Sequence, residues 1–594
     1  MKTFLASFLG ALTAFVALMA AVLGLLLGAA ATFEDKPLTV APDSVLQFDL
    51  DTLITEKPAA GGVESLVSEA LSGDRRDRIT LRQLLTTLDA AANDDDIQAL
   101  LLSGRIEPLE YASGWGALKD VRAAIAAFRD SGKAVIAHAP SFDERTYYLA
   151  SAADAIYAEP LGGFLGTVEL NGFAAQRLYY KNALDRFGVE VNVVRAGDYK
   201  SAFESYERAD MSDEAREANV AYLDTFVDEL IEAIASARTQ LTPAMLRELM
   251  DTQGLLDATQ AVELGFVDGL VYESDLQAKL DTHARDASPA SMDELVALTD
   301  YARLAERRAK QTGAGIAVIY AEGPIVAGDG KQDVAGERLA ELLRRAGKDE
   351  SVKAVVLRVN SPGGSANASE VIAQALREVR TTKPVVVSMG TVAASGGYWI
   401  ATHADAILAQ PTTLTGSIGV IGAVGNVREL LNNIGVTTDV AKTHPRADIG
   451  SPYRPLTDAE LALVEASVDE IYTSFIERVA EGRNLPRERV EAIAQGRVWS
   501  GRDALERDLV DRLGGLDDAL AVAAERANVE TFHVVEYQVE RPLSERIIES
   551  LEISAGPSPL ASAFTEALGL LTEFGAWNDP QHVYARLPYR LVID

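Results

Sequence analysis

The sequence predicts an α/β protein formed by tandem duplication of one domain and preceded by a transmembrane helix. Three observations support this prediction: a long uncharged segment near the N-terminus, β-branched runs that alternate with helix-like segments, and a sequence pattern that occurs twice along the chain. A chain of 594 residues is also too long for a single hydrophobic core. We therefore expect at least two domains of the same kind.

The N-terminal segment is long enough to cross a lipid bilayer. No charged residue occurs between Thr3 and Phe33, and a membrane-spanning helix needs about 20 apolar residues. Lys2 precedes the segment, so the positive-inside rule predicts a cytoplasmic N-terminus. A cleaved signal peptide is the alternative, because the alanines at positions 29 to 31 would suit cleavage. The apolar core of a signal peptide is normally only about 7 to 15 residues long, however. We predict an uncleaved anchor over residues 1–36.

The two halves of the chain repeat each other with a period of roughly 250 residues. KAVIAHAP leads to YYLASAADAIYAEPLGGFLGTVEL in the first half, and KPVVVSMG leads to YWIATHADAILAQPTTLTGSIGVIG in the second. Further along, Ser212 and Thr457 precede matching amphipathic segments, as expected of helix N-caps. Strands that alternate with helices favour right-handed βαβ units and a mainly parallel sheet.

The repeat also predicts the domain boundaries. The first domain should cover residues 37–273 and begin with the strand SVLQFDL, and the second should cover residues 313–545 and begin with the strand IAVIYAEG. Residues 274–312 are charged and rich in alanine, which predicts a helical linker between the two domains. Residues 546–594 form a C-terminal tail segment.

The two copies differ at the places where chemistry is expected. After the strand AVVLR, the second copy has VNSPGGS, whereas the first has SGRIEPLEY without a glycine pair. Ser395 of the second copy aligns with Glu144 or Arg145 of the first. Conversely, Lys200 in RAGDYKSAFE aligns with Pro445 or Ala447. Complementary loss of this kind is expected when two copies share one composite site.

Composition and charge exclude several classes of function. The formal net charge of −33 repels phosphate backbones, so we expect no nucleic-acid partner. The chain has no cysteine, which removes disulfides, thiolate zinc sites and cysteine nucleophiles.

Ser395 in TVAASGGYWIA lies at a predicted strand-to-helix turn, where a serine becomes a nucleophile only if a base takes its proton. His403 is eight residues away, which is about 12 Å along a helix and out of hydrogen-bond reach. The remaining histidines have no nearby carboxylate pattern and are expected in the core or on the surface: His138, His283, His444, His533 and His582. A Ser-His-Asp site is therefore disfavoured.

A lysine can replace histidine as the base only if its amine is uncharged. Burial would have to lower the pKa of the lysine from about 10.4 towards 7. A shift of this size means that the charged form becomes about 4 to 5 kcal/mol less favourable relative to the uncharged form. A packed interface between the two copies would provide such burial for Lys200. Taken alone, Lys200 would be a surface charge and Ser395 a helix N-cap. Lys442 is the next candidate for a base.

Four motifs together resemble the long, duplicated form of the S49 family of serine proteases, the signal peptide peptidases. They are NSPGGS, TVAASGGYWIA, TLTGSIGV and GDYKSAFE, and the similarity extends over nearly the whole chain. The resemblance implies a crotonase/ClpP-like fold for each half. It also implies a Ser-Lys dyad, with Ser395 as nucleophile and Lys200 as general base.

Further site residues follow from the same resemblance. Ser417 in TGSIG would orient the lysine amine, and the N–H groups of Gly364 and Gly396 would form the oxyanion hole. Glycines suit that role because they let the backbone approach the substrate closely. Asp198 departs from the family pattern, and because a carboxylate would keep the lysine protonated we expect it to point away. Another departure is Glu204-Ser205, where a proline commonly follows the glutamate; this concerns the loop and not the dyad.

The resemblance also implies a location and partners. The protein would be anchored by a single pass in the bacterial inner membrane, with both domains on the periplasmic side, and would assemble as a homotetramer. Its substrates would be remnant signal peptides and other apolar peptides, and no metal or other cofactor is implied. Two alternatives stay open: a crotonase-type acyl-CoA enzyme, whose glycine-rich turns stabilise thioester enolates, and a non-catalytic membrane scaffold.

Overall fold

The computed structural model describes residues 40–57, 76–109, 112–163, 166–283, 291–308, 312–328, 334–537 and 583–586. The predicted anchor at residues 1–36 lies outside these ranges, and so does most of the predicted tail at 546–594. Across the described ranges, no helix combines the length and the apolar character that a membrane crossing needs.

The first half contains a six-stranded sheet in which every pair of strands is parallel. The predicted first strand is confirmed at Ser44–Asp49, near one edge of the sheet. The order of strands is Gly269–Leu270, Ala155–Ala158, Ala134–Ala139, Ile97–Ser103, Ser44–Asp49 and Ser291–Ala297. The four central strands of this order, from Ala155–Ala158 to Ser44–Asp49, are nearly continuous runs of buried and mostly apolar residues, as is typical of parallel sheets covered on both faces.

Helices cover the first sheet and extend beyond its edge. Leu81–Ala92 and Trp115–Asp130 bury their apolar sides in the main core of this half. The other helices of the first half are Glu144–Ala150, Lys181–Phe187, Glu204–Glu207, Asp213–Ala237, Pro243–Thr252, Ala258–Glu263, the 3₁₀ turn Glu273–Asp275, Leu276–His283 and Leu298–Arg308. Two short strand pairs complete it: Leu53–Thr55 with Arg78–Thr80, and Val168–Glu169 with Leu255–Leu256.

The second half repeats the arrangement with an eight-stranded sheet. Its central path is Val498–Ser500, Leu414–Gly416, Val385–Ala394, Val352–Ser361, Ala314–Glu322 and Phe532–Tyr537, and Ala406–Ala409 joins Val385–Ala394 and Arg512–Leu513 beside this path. Only the pair Leu414–Gly416 and Val498–Ser500 is antiparallel, so the prediction of mainly parallel sheets is confirmed. The helices of this half are Gly336–Lys348, Ala366–Arg380, Gly396–Trp399, Arg428–Asn433, Asp458–Arg483, Arg487–Ile493, Gly501–Glu506 and Leu516–Arg526.

The duplicated long helices begin where their capping residues predicted. Ser212 accepts a hydrogen bond from the N–H of Ala215 at the start of Asp213–Ala237. Thr457 forms a capping box with Glu460 at the start of Asp458–Arg483. The capping side chain accepts a hydrogen bond from an N–H group only a few residues away. Because the interaction is local, the start of the helix can be predicted from the sequence.

The segment predicted as a helical linker differs from that prediction. Residues 274–312 contain the helices Leu276–His283 and Leu298–Arg308, but Ser291–Ala297 between them is a strand. This strand pairs in parallel with Ser44–Asp49 at the edge of the first sheet. The uniformly helical linker is therefore wrong, because edge pairing with a distant strand outweighs a local helical composition.

A third sheet joins the two halves of the molecule. Its six strands are Val334–Ala335, Ile325–Val326, Gly363–Ser365, Val583–Arg586, Val420–Asn426 and Glu190–Ala196, in that order. Glu190–Ala196 belongs to the first half and runs antiparallel to Val420–Asn426 of the second over their full lengths. Because of this pairing, the residues that follow Ala196 lie against the second half of the molecule.

A buried ion pair forms another connection between the halves. Arg358 is buried in the second half, and its guanidinium donates hydrogen bonds of 2.9 and 2.7 Å to the Glu56 carboxylate of the first half. Asp120, also from the first half, lies beside this pair and accepts a hydrogen bond from Gln410 of the second half. The interface between the halves thus contains both backbone pairing and buried charge.

Candidate active site

Ser395 occupies a sharp turn between the strand Val385–Ala394 and the helix Gly396–Trp399. Its backbone has φ 58° and ψ −116°, a conformation that costs a non-glycine residue about 1 to 3 kcal/mol. The turn is held by a 2.8 Å hydrogen bond from the Ser395 N–H to the Gly416 carbonyl. The predicted strand-to-helix turn is therefore present, and it lies beyond the carboxyl end of a parallel strand, where ligands of such sheets usually bind.

Lys200 reaches this turn from the first half of the chain. It follows the strand Glu190–Ala196, and its N–H closes a tight turn onto the carbonyl of Gly197 at 3.1 Å. Gly197 has φ +107°, and a Cβ there would lie 2.4 Å from the carbonyl carbon of Gln495. Only glycine fits this turn, which directs the Lys200 side chain inward until none of it is exposed.

The Lys200 amine has three polar neighbours. Its Nζ lies 2.7 Å from the Oγ of Ser395 and 3.0 Å from both the Oγ and the carbonyl oxygen of Ser417. An uncharged amine has two N–H donors and one lone pair, which suffices to donate two hydrogen bonds and to accept the Ser395 proton. Complete burial lowers the pKa of the Lys200 amine well below its ordinary value. The structure thus brings the three predicted residues together around one nitrogen.

Ser417 is held in place by its own backbone. It has φ 49°, follows Gly416 at φ +70°, and donates its N–H to the Arg497 carbonyl at 2.7 Å. The side chain is completely buried. This geometry keeps the Ser417 hydroxyl and carbonyl pointed at the Lys200 amine.

The two glycines predicted for the oxyanion hole both lie near the Ser395 turn, because the strand Gly363–Ser365 has residues within 8 Å (Cα to Cα) of the helix Gly396–Trp399. Gly364 belongs to the strand Gly363–Ser365, and a Cβ on it would lie 1.9 Å from the carbonyl oxygen of Ile325. Gly396 is the first residue of the helix Gly396–Trp399, and N–H groups in a first helical turn have no acceptor within the helix. Both positions are buried. Their role as oxyanion donors stays a prediction.

A turn at residues 495–497 contacts both the lysine and Ser417, and sequence reasoning missed it. The carbonyl of Gln495 accepts the Tyr199 N–H at 2.8 Å, and the Gly496 N–H donates to the Ile418 carbonyl at 2.8 Å. Gly496 has φ +74°, and a Cβ on it would lie 2.6 Å from the Cβ of Lys200. The second half has AQGRVWSGRDAL at this turn, and the first half has the similar segment TQGLLDATQA at the matching place. The Gln-Gly pair that both segments share was the sequence signal that could have identified the turn.

Other candidate groups lie away from the Lys200 amine. Asp198 is exposed while Lys200 is buried, as expected from the requirement for an uncharged amine. Lys442 is exposed and lies 2.9 Å from a carboxylate oxygen of Asp448, so it is not the base of this site. Four histidines contact groups other than Ser395, namely His138, His283, His403 and His444. His582 lies outside the described residues.

The corresponding region of the first half is filled by charged side chains. The Arg105 guanidinium donates to the Ser141 hydroxyl at 3.0 Å and to the Asp143 carboxylate at 3.3 Å. Glu144, one of the two residues that align with Ser395, accepts hydrogen bonds from two backbone N–H groups, those of Asn171 and Gly172. Burial raises the pKa of Glu144 to about 6. This half therefore retains the shape of the site without its nucleophile.

Comparison with known proteins finds similar sequences for both halves of the chain. The family model for peptidase family S49 matches residues 127–286 and 377–530, one segment in each half, and the Clp protease model matches residues 308–413. Protease 4 of Salmonella typhi is 36% identical over 91% of this chain and 89% of its own length. Protease 4 of Haemophilus influenzae is 33% identical over 85% of each chain. The chloroplastic serine protease SPPA of Arabidopsis thaliana is 31% identical over 78% of this chain and 68% of its own.

The similarity thus spans both halves, includes the segments that carry Lys200 and Ser395, and extends over most of the relatives' length. It confirms the resemblance inferred from the four motifs and the presence of a ClpP-like domain. The chain belongs to peptidase family S49 and is a serine protease.

Proposed function

We propose that the protein is a membrane-anchored endopeptidase that uses Ser395 as nucleophile and Lys200 as general base. The observation that carries the proposal is the 2.7 Å separation between the Lys200 Nζ and the Ser395 Oγ, with both side chains completely buried. A lysine that burial holds uncharged has the free lone pair that a base requires.

The proposed reaction needs only groups of this chain and water. The Ser395 Oγ attacks the carbonyl carbon of the substrate while its proton moves to the Lys200 amine. The N–H groups of Gly364 and Gly396 stabilise the resulting oxyanion, a contribution of about 10² to 10³ in rate for one donor. Collapse of the intermediate breaks the C–N bond, and the Lys200 ammonium returns its proton to the leaving amine. Water then hydrolyses the acyl-enzyme with Lys200 again accepting the proton.

We further propose that the substrates are remnant signal peptides and other apolar peptides at the periplasmic face of the inner membrane. The uncharged stretch from Thr3 to Phe33 supports the anchor, because an enzyme held beside the bilayer meets apolar peptides that do not diffuse in water. We also propose that the chain assembles as a homotetramer. Large apolar side chains that are exposed in the single chain support association, though not a particular number of subunits: Leu178, Phe187, Ile434, Val440 and Tyr453.

Labelling with a fluorophosphonate tests the nucleophile. We expect the full-length enzyme in detergent to be labelled and to cleave a synthetic signal peptide, whereas Ser395→Ala should lose both properties. Ser236→Ala, which changes an exposed serine, is the matched control and should behave like the wild type. Labelling that persists in Ser395→Ala would contradict the proposal.

The same preparation separates the two alternatives. A crotonase-type enzyme would turn over CoA thioesters and leave the peptide intact, and a scaffold would be labelled at no serine. Mass spectrometry of the peptide products identifies the bonds that are cut, and cross-linking in the membrane reports the number of subunits.

A further inference from the structure

An arginine of the second half stacks against the aromatic residue that precedes Lys200. The Cζ of Arg497 lies 4.9 Å from the ring centroid of Tyr199 and 4.4 Å from the ring centroid of Trp499. A guanidinium within about 6 Å of a ring centroid is attracted by the π-electrons of the ring. Trp499 is buried in the second half, so Arg497 connects the residue beside the proposed base to the core of the other half.

A carboxylate of the first half completes this arrangement. Glu217, on the helix Asp213–Ala237, accepts a hydrogen bond of 2.7 Å from the Tyr199 hydroxyl and one of 2.8 Å from the Arg497 guanidinium. These two donors lower the pKa of the Glu217 carboxylate. The Nε of Arg497 is buried and has no hydrogen-bond partner in the described part of the chain. Stacking and the contact with Glu217 therefore hold the side chain of Arg497. We call Tyr199, Glu217, Arg497 and Trp499 the arginine clamp.

The backbone of the clamp is connected directly to the candidate active site. The Arg497 carbonyl accepts the N–H of Ser417 at 2.7 Å, and Tyr199 is the neighbour of Lys200 in the sequence. The Lys200 Nζ in turn lies 3.0 Å from the Ser417 Oγ. The clamp thus joins, outside the site, the same two segments whose side chains meet at the amine.

This placement matters because the proposed base and its partners come from different halves. Tyr199 and Glu217 belong to the first half with Lys200, whereas Arg497 and Trp499 belong to the second half with the two serines. A general base acts only within hydrogen-bond reach of its proton, and a displacement of about 1 Å can reduce the rate about 10²-fold. An interaction that spans both segments is suited to prevent such a displacement.

We propose that Arg497 is a positioning residue for the base and that Glu217 acts through it. The clamp keeps the Lys200 amine within hydrogen-bond distance of the Ser395 hydroxyl and keeps water away from the amine. This proposal rests on the proposed function, since it concerns the base of that same site.

Arg497→Met in the full-length enzyme gives the first test, because it keeps a long apolar side chain and removes the planar cation. We expect kcat for a synthetic signal peptide to fall at least about tenfold while KM changes less than about twofold, and the fluorophosphonate to label Ser395 more slowly. Water that reaches the amine would also raise its pKa towards the ordinary value, so the acidic limb of the pH profile should shift to higher pH.

The pH profile distinguishes positioning from a merely stabilising contact. Loss of a stabilising contact would lower the melting temperature and leave the acidic limb in place. A folded Arg497→Met enzyme with the kcat and the acidic limb of the wild type would overturn the proposal.

Glu217→Gln gives a second test, which does not require a change at the interface. Glu217 is exposed on its helix, so the variant should fold, and loss of its charge should lower kcat about two- to fivefold, as expected of an exposed ion pair. Asp224→Asn, which changes another exposed carboxylate of the same helix, is the matched control and should keep the kcat of the wild type. Wild-type kcat in Glu217→Gln would overturn the role of Glu217.

The double variant Glu217→Gln, Arg497→Met tests whether the two residues act as one unit. Its loss in kcat should be smaller than the product of the two single losses, because Glu217 has little left to hold once Arg497 is replaced. Losses that multiply would show that the two residues act separately and would overturn the clamp.

Failure of the proposed function gives a different result from failure of the clamp. A wild-type enzyme that cleaves no peptide and is not labelled at Ser395 would reject the mechanism with Ser395 and Lys200 itself. An active wild type whose Arg497→Met and Glu217→Gln variants match the Asp224→Asn control in kcat, labelling rate and acidic limb would keep that mechanism and reject the clamp.

Discussion

Lys200 combines complete burial with contacts to three oxygen atoms and to no carboxylate among the described residues. A charged ammonium in this position would lose its hydration without gaining a counter-ion. The uncharged amine avoids that cost, and burial accordingly lowers its pKa. At the scale of the residue, the chemistry proposed for the site depends on this one desolvated nitrogen.

Replacement of Lys200 should abolish proteolysis without unfolding the protein. Lys200→Ala removes the base, and Lys200→Arg supplies a group that stays protonated, so both should reduce kcat/KM by at least about 10² to 10⁴. Peptide cleavage and thermal melting measure the two effects. Lys442→Ala is the control and should keep wild-type activity, because this lysine is exposed and paired with Asp448. Substantial cleavage by Lys200→Arg would show that another group is the base.

The pH dependence of kcat/KM reports the same amine. Because burial lowers the pKa of Lys200 in the folded enzyme, the fraction of free amine increases as the pH rises through that lowered pKa. Activity should therefore rise with pH on the acidic side and level off well below the pKa of about 10.4 of an ordinary lysine. A rate profile measured from about pH 5 to 9 tests this. A flat profile over that whole range would contradict a lysine base.

At the scale of the element, the turn at residues 495–497 sets the distance between the lysine and Ser417. It accepts the N–H groups of Tyr199 and Ser417 through the carbonyls of Gln495 and Arg497. Gly496 between them lies against the backbone and Cβ of Lys200. A small shift of this turn would therefore move the amine relative to the Ser395 hydroxyl.

Gly496→Ala should lower kcat by at least about tenfold, since an added Cβ would lie 2.6 Å from the Lys200 Cβ and misplace a base that needs hydrogen-bond geometry. The matched control is Gly435→Ala, which has a similar φ of +81° and nothing within 4 Å of its added Cβ. Both variants carry the same backbone strain, so a difference in kcat between them isolates the contact with Lys200. Equal kcat values would show that the turn does not position the amine.

Elements with local signals were predictable from the sequence, and elements formed by distant pairing were not. The helices Asp213–Ala237 and Asp458–Arg483 begin after capping residues that satisfy nearby N–H groups. By contrast, no local pattern shows that Glu190–Ala196 pairs with Val420–Asn426, or that Ser291–Ala297 joins the first sheet. Register between distant strands depends on side-chain patterns of the whole sheet and not on one segment.

The residues of the candidate site also fall into those that the sequence could predict and those that it could not. Ser395 and Lys200 were predictable because the two copies differ at those positions, and the difference marks residues that only one copy retains. Gly496 was missed because its contribution is the absence of a side chain and the direction of its backbone groups. A role of that kind becomes visible only when the neighbouring chain is in place.

At the scale of the whole molecule, the two halves are joined by buried charge as well as by the third sheet. The Arg358 guanidinium pairs with Glu56 across the interface, and Asp120 is buried beside them with Arg358, Glu56 and Asp517 as its charged neighbours. Burial raises the pKa of Asp120 to about 7. One carboxylate oxygen of Asp120 has no hydrogen-bond partner in the described part of the chain. The interface is therefore sensitive to the protonation of one carboxyl group.

The raised pKa of Asp120 predicts that the protein loses stability as the pH rises. The protonated group favours the folded state, and this contribution disappears between the unfolded-state pKa of about 4 and the folded-state pKa of about 7. From pH 5 to 8 the loss should be about 2 to 3 kcal/mol in the free energy of unfolding. Asp120→Asn should lack this part of the pH dependence, and urea unfolding at both pH values measures it.

The control for this prediction is Asp251→Asn, which changes an exposed carboxylate on the helix Pro243–Thr252. It should show the same change in unfolding free energy with pH as the wild type. If Asp120→Asn also keeps the wild-type dependence, Asp120 does not titrate in this range.

The strand pairing between Glu190–Ala196 and Val420–Asn426 has a consequence for biosynthesis. The ribosome completes the lysine-bearing half well before it reaches Ser395, and each half on its own holds only one partner of the proposed dyad. If Ser395 and Lys200 act together as proposed, no nascent fragment can hydrolyse a neighbouring chain during translation. The complete site forms only when the second half folds against the first. The order of synthesis therefore delays proteolytic activity until translation of the chain is nearly finished.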